Sequence, residues 1–430
     1  MAAVKTVRNG AARASATAAI VTALTVGMTG CGEPQSNLRI TQSGASGNGV
    51  LKIGMILEST GQQKFLNDSQ RAAVQLAVEE INDAGGLNGR PVRLLPSQGG
   101  EAAVVAAQDF IDGGADVVIG PTDSSHAPAA IDMLSEAGAV LISPSNGAAA
   151  LSDYTSGGYY FRTYPSNVLE GKALAEQLRT AGKRDVVVLH DDSAYGSTVA
   201  DALQEELDAR GPSLALVSTA GGIAQAVAEA VDAEPDAVVV VARSGQSVVK
   251  QLTESGMAPP ALFLGSATTG NHHGELPAGT LKGSHGILAG SLPAEQFQQR
   301  MLTVDPDLEH LTFATEAYDA VILAALAAAD ADDDAGATIV AHLLAVSGNY
   351  EYTDASSGPA VTECSGFAVC AALLDEGKPI DYRGRSGPTT FDADGDITEA
   401  RFQLYEYGAD GRAVPAKTIL VATGETDKHE

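Results

Sequence analysis

Two short polar clusters carry most of the chemistry this sequence offers. Ser124 and Ser125 follow an apolar run ending at Gly120 and stand where a helix should begin. Serine hydroxyls and backbone N–H groups at a helix start can hold a carboxylate, and the same pair also suits plain capping. Ser145, Asn146 and Gly147 follow a second apolar run ending at Ser143. They offer polar contacts, although Asn-Gly is equally a turn signal. Further along, Tyr195 brings an amphipathic ring, suited to a site that alternates between wet and closed. Arg243 brings a cation after another strand end, and Ala267 lies in the uncharged run Gly265-Ser266-Ala267-Thr268-Thr269. These groups suit binding, and no catalytic constellation stands out among them. There is no nucleophile elbow, no P-loop and no dinucleotide fingerprint after a strand. The eight His are scattered, and even His272-His273 lacks a metal-ligand context. We therefore expect no enzyme, no cofactor and no metal.

The elements that must position these residues alternate in type. Leu51–Leu57, Val92–Leu95, Asp116–Gly120 and Val140–Ser143 read as predicted strands. Between them, predicted helices span Asp68–Ala84, Ala102–Gly113 and Ser124–Ala137, the last with Pro128 in its first turn. A second series follows. Its predicted strands are Asp185–His190, Ser213–Ser218, Ala237–Ala242 and Leu262–Gly265. Its predicted helices are Asn167–Ala181, Thr198–Arg210, Ile223–Asp232 and Ser247–Ser255, which leaves Tyr195 in a loop. Such alternation implies α/β architecture with mostly parallel sheets covered on both faces. Two successive doubly wound units imply two Rossmann-like lobes with a ligand cleft between them. Ligands of such sheets sit beyond the carboxyl ends of the strands.

The chain has 430 residues, 44% of them apolar, and a formal net charge of −28. That acidity argues against nucleic acid as a partner. Lys5, Arg8 and Arg13 form a basic start, and Ala14–Val26 is a small-residue and apolar run with the length of a signal h-region. Met28-Thr29-Gly30-Cys31 then resembles the lipobox of bacterial lipoproteins. That resemblance implies a lipid on Cys31 after removal of residues 1–30. Residues 31–49, rich in Gly and Ser, read as a flexible tether. Cys364 and Cys370 are six apart, and outside the cytoplasm such a pair reads as a disulfide. Leu311–Ala329 is long and apolar, but Glu316 and Asp319 interrupt it, so it reads as a buried helix and not as a membrane span.

Several stretches in order resemble one family. They are Glu80-Ile81-Asn82-Asp83-Ala84-Gly85-Gly86-Leu87-Asn88-Gly89-Arg90, Val118-Ile119-Gly120-Pro121, Leu141-Ile142-Ser143-Pro144-Ser145, Phe161-Arg162-Thr163, His190-Asp191-Asp192-Ser193-Ala194-Tyr195-Gly196 and Ser386-Gly387-Pro388 with Phe391-Asp392. Together they resemble the branched-chain amino acid binding proteins of ABC importers, which have the type I periplasmic-binding fold. The resemblance implies that the Ser124-Ser125 position grips a ligand carboxylate and that Ser145–Gly147 contribute ligand-contacting backbone. It also implies that Tyr195 closes on the ligand from the second lobe. This chain departs from the pattern three times. Gly147 stands where a Thr-like hydroxyl is usual, Arg243 stands where an aromatic or small residue is usual, and no acid stands near Ala267 to pair with an ammonium. The count of strands and helices per segment sets the first two lobe crossings and the resemblance supplies the third, for a first lobe of residues 50–162 and 289–388 and a second of 163–288 and 389–425. The expected crossings lie near Arg162-Thr163, His285–Leu288 and Ser386–Thr390. The expected protein is a monomeric receptor at the outer face of the cell membrane. It takes a small polar solute (amino acid-like, carboxylate or amide) to an ABC permease, or signals the ligand to a partner.

Overall fold

The structure, a computed structural model, describes residues 40, 43–57, 66–97, 102–208, 212–270, 272, 276–290, 292–350 and 360–424. Cys31 and the basic and apolar start lie outside these residues.

The first βα series runs β1 (Lys52–Met55), α1 (Asn67–Asp83), β2 (Arg93–Leu94), α2 (Ala103–Asp112), β3 (Val117–Ile119), α3 (Ala127–Glu136), β4 (Val140–Ser143) and β5 (Tyr160–Arg162). The strands are short and almost wholly apolar because helices cover both faces of the sheet. They form one parallel sheet in the order β2-β1-β3-β4-β5. Between α1 and β2 the chain reverses at Leu87-Asn88-Gly89-Arg90, where Leu87 and Arg90 exchange backbone hydrogen bonds at 2.9 Å. Asn88 and Gly89 both have positive φ there, as a tight hairpin-type turn demands. A Cβ on Gly86 would lie 2.1 Å from the Arg90 carbonyl, so only glycine fits.

The second series runs α4 (Asn167–Thr180), β6 (Asp185–His190), α5 (Ala194–Asp208), β7 (Ser213–Ser218), α6 (Ile223–Asp232), β8 (Ala237–Val241), α7 (Gly245–Glu254), β9 (Leu262–Leu264) and β10 (His285–Ala289). Its parallel strands repeat the winding of the first sheet, in the order β7-β6-β8-β9-β10. The chain then supplies α8 (Glu295–Val304), α9 (Ala314–Ala331), α10 (Gly336–Val346), β11 (Thr362–Cys364), α11 (Phe367–Asp375) and β12 (Ile380–Tyr382). Of these, α9 packs on α1, β3 and β4, and α10 packs on α9 and β4, so both belong with the first sheet. Finally β13 (Glu399–Tyr407) and β14 (Ala413–Ala422) extend the second sheet antiparallel beyond β10.

Three expectations need correction, and one element lies outside them. Tyr195 is not in a loop, because α5 begins at Ala194. The strand β10 belongs to the second sheet through Ala289, so the chain leaves that sheet after it and not within it. The antiparallel hairpin β13–β14 was not foreseen. The segment before β1 is not free up to Gly49. Gly47, Asn48, Gly49 and Val50 donate backbone N–H groups to the carboxylates of Asp333 and Asp334, which lie between α9 and α10.

The helix α9 is buried from Ala314 to Ala328, with Glu316 and Asp319 buried among its alanines and leucines. No described helix is long and apolar enough to cross a membrane. Cys364 and Cys370 form the expected disulfide, with Cα atoms 5.5 Å apart.

Candidate functional site

The loops after β3 and β4 form one edge of the site, and they hold each other in place. Ser145 Oγ donates to the Thr122 carbonyl at 3.1 Å. The Asn146 amide donates to the carbonyls of Pro121 (2.9 Å) and Thr122 (3.1 Å), and its oxygen accepts from the Tyr160 hydroxyl. Asn146 is completely buried, so its side chain braces the loop and is not presented to a ligand. A Cβ on Gly147 would lie 2.1 Å from Asn167 Oδ1, and the Gly147 carbonyl accepts the Asn167 N–H at 2.7 Å. The missing hydroxyl at Gly147 is thus explained by close approach of the start of α4.

Ser124 is half-buried and Ser125 exposed. Neither caps α3, whose N-cap residue is His126 with no side-chain cap bond. Ser124 Oγ instead accepts the Ala148 N–H at 3.4 Å, which joins the two loops. Asp123 accepts the Ser125 N–H at 2.9 Å. Burial alone pushes the Asp123 carboxyl up. The Ser125 bonds and the Arg243 and His126 charges outweigh burial and hold it below its usual range.

Sequence reading gave Arg162 no role. It is fully buried at the end of β5 and donates to the carbonyls of Asn146 (3.1 Å) and Ala148 (2.8 Å). It also reaches Ser152 Oγ and makes two 2.5 Å bonds to the Asp396 carboxylate. Its position in the Phe161-Arg162-Thr163 motif was the available signal.

On the opposite edge, Tyr195 is buried in the first turn of α5. Its hydroxyl donates to Glu170 Oε1 at 2.7 Å and accepts the Ala267 N–H at 3.2 Å. Ser266 donates its N–H (2.8 Å) and hydroxyl (2.6 Å) to the same carboxyl. An acid therefore does stand beside Ala267. It comes from α4, 96 residues before Ser266, which is why the local sequence hid it. Burial pushes the Glu170 carboxyl up against the pull of the Ser266 and Tyr195 bonds. Glu170, Tyr195 and Ser266 form a closed set that ties α4, α5 and the loop after β9 together.

Arg243 is different. Its backbone N–H is anchored by Asp191 at 2.6 Å, but its side chain is 51% exposed. Its guanidinium approaches Asp123 at 4.0 Å, which brings a first-sheet loop and a second-sheet loop together. The structure thus brings Ser124, Ser125 and Arg243 onto facing edges, with Ala267 exposed on the second. It places Asn146 and Tyr195 behind them as supports.

The crossing chains converge on α9. Thr163 Oγ1 donates to the Glu316 carbonyl at 2.9 Å, and the Tyr164 and Phe313 rings meet edge-on at 5.2 Å. A Cβ on Gly290 would lie 3.0 Å from Glu316 Oε1.

Loops at the carboxyl ends of two like-wound sheets thus approach each other at Asp123 and Arg243. The structure superposes on the branched-chain amino acid transporter substrate binding protein LivJ from Streptococcus pneumoniae with a TM-score of 0.63. The two are 21% identical, and the match covers 87% of this chain and 99% of that one. The Leu/Ile/Val-binding protein BraC3 of Rhizobium johnstonii is 28% identical over 85% of this chain and 94% of its own length. A leucine-, isoleucine-, valine-, threonine- and alanine-binding protein of Pseudomonas aeruginosa is 30% identical, but the match spans 39% of this chain and 46% of that protein. The chemotactic signal transduction system substrate-binding protein BasB of Halobacterium salinarum is 27% identical over 78% of this chain and 82% of its own length. The family model described as periplasmic binding protein matches residues 50–374. With that match and with two like-wound sheets joined through α9, the chain belongs to the periplasmic binding protein family.

Proposed function

We propose that this protein is the extracytoplasmic receptor of an ABC importer, and that it captures a small polar solute by closing two lobes on it. The carrying observation is the approach of Asp123 and Arg243 at 4.0 Å from opposite edges. A solute that bridges such edges shifts an open–closed equilibrium. We place the first lobe at residues 50–162 and 290–388 and the second at 163–289 and 389–425, with the boundary moved to the end of β10. Ser124, Ser125, the backbone at Ser145–Gly147, Arg243 and Ala267 are the proposed contacts. In this reading a lipid on Cys31 holds the receptor at the outer face of the membrane, beside its permease.

The ligand class follows from charge. The acid nearest Ala267, Glu170, is buried and already accepts three hydrogen bonds, so it is a poor partner for an ammonium. Arg243 is the exposed cation. We expect a carboxylate or amide solute, and weak binding of leucine, isoleucine and valine. Calorimetric titration against a panel of amino acids, non-amino carboxylates and amides tests this. Arg243→Ala should weaken the preferred carboxylate about 10- to 100-fold, as expected for losing a charge-assisted hydrogen bond. Tight leucine binding that survives Arg243→Ala would overturn the assignment.

The relative from a chemotactic signal transduction system supports a second reading, in which the same closure signals to a partner. Co-purification of membrane-extracted protein distinguishes a permease from a transducer. Mass spectrometry of that material should show a diacylated N-terminal Cys31. A mature chain that starts elsewhere without lipid would refute the anchor.

A further inference from the structure

A cavity of about 290 Å³ lies among α8, the start of α9 and the segment after β12. None of the proposed cleft contacts lines it. Its walls include Phe297, Thr315, Ser365, Gly366, Tyr382 and Arg385. Ser365 and Gly366 lie inside the ring that the Cys364–Cys370 disulfide closes, so this wall is braced.

Arg385 is the unusual member. Its guanidinium sits over the rings of Phe297 (5.0 Å) and Tyr318 (4.8 Å). Among the described residues no carboxylate makes an ion pair with it, and its Nε is buried without a hydrogen-bond partner. The acids around it are committed elsewhere. Glu80 pairs with Arg300 and accepts from the Tyr318 hydroxyl. Asp319 accepts from Tyr382 and from the Arg385 and Ser386 backbone. The neighbouring cation, Arg383, is held by Glu363 and Asp381 at 2.8 Å each. A chain with a net charge of −28 has ample acid to pair an arginine, yet this one faces a cavity with aromatic walls. Leaving a partly buried guanidinium donor unmatched is costly unless a ligand supplies the acceptor. The N-terminus of α11 opens on the same cavity at Gly366, and a helix start adds to the attraction for an anion.

We propose that this cavity is a second binding site, separate from the cleft, for a small carboxylate with an apolar body. The carboxylate would meet Arg385, and the body would lie against Phe297 and Tyr382.

The test follows 4-fluorophenylacetate by fluorine NMR on the full-length protein. Wild type should show a saturable, shifted resonance. Arg385→Gln should weaken it tenfold or more. Ala294→Phe, which fills the exposed rim without touching the arginine, should do the same even if Arg385→Gln fails to fold. Arg243→Ala, which acts on the cleft, should leave the Arg385-dependent resonance unchanged and remove only a resonance that the cleft contributes, so failure here and failure of the cleft reading are separable. Absence of saturable binding, survival of every shifted resonance in both cavity variants, or loss of the Arg385-dependent resonance with Arg243→Ala would each overturn the proposal.

Discussion

Replacing Asp396 with Ala should lower the unfolding free energy by about 3–5 kcal/mol, the usual cost of removing one partner of a buried ion pair. Arg162 is 0% exposed and meets both Asp396 oxygens at 2.5 Å. Without Asp396 its charge stays buried, held by two carbonyls and the Ser152 hydroxyl, with the Asp392 charge acting from further off. The effect should reach the proposed cleft, because those carbonyls belong to Asn146 and Ala148 in the loop after β4. Urea unfolding gives the stability loss, and titration of a bound solute gives the accompanying drop in affinity. A double replacement, Arg162→Met with Asp396→Leu, should recover much of the stability, since a matched apolar pair carries no stranded charge. A loss under about 1 kcal/mol for Asp396→Ala would show that water reaches Arg162 after all.

The second large effect depends on pH. Burial, with Asp319 adding to it, pushes the Glu316 carboxyl from 4.5 up to about 7, despite the Thr315 hydroxyl bond that opposes the shift. In the unfolded chain this group loses its proton near 4.5, whereas in the folded protein it keeps it until about 7. Between those values the folded state binds more protons, so stability falls as pH rises through the window. At 1.36 kcal/mol per unit the loss is on the order of 3 kcal/mol. Glu316→Gln keeps the shape and the acceptor for Thr315 but has no proton to lose. Near pH 4 the variant should match wild type, and near pH 8 it should be the more stable by roughly that amount. Glu170 and Asp319 are also pushed up by burial, and their contributions cancel in the comparison because both proteins carry them. Thermal unfolding midpoints across pH 4–8 decide the matter. Parallel profiles for the two proteins would show that folding does not raise the Glu316 carboxyl.

The parts of this fold that were legible in the sequence are those set by local rules. Strict alternation of apolar runs with amphipathic stretches gave both βα series, and Gly86, Asn88 and Gly89 announced a turn that only their backbone freedom allows. The parts that were not legible depend on partners far away in the chain. Asn146 reads as a turn residue, and only the packed loop after β3 turns it into a buried brace. Glu170 lies on a helix that gives no hint of the loop after β9. The acidic run Asp330–Asp334 reads as the end of a helix. Two of its carboxylates prove to be acceptors for backbone N–H groups 284–286 residues away. The β13–β14 hairpin was missed because its strands mix exposed polar and apolar residues without clean alternation.

The clasp between residues 47–50 and Asp333–Asp334 also sets a mechanical load path. A pull on the chain ahead of β1 meets the hydrogen bonds that four successive backbone N–H groups make to these two carboxylates. The force then passes into the turn between α9 and α10, which pack against the first sheet. The second sheet is not on that route. If the N-terminus is the mooring, drag and thermal jostling tug on one half of the molecule, and the other half stays at liberty to swing.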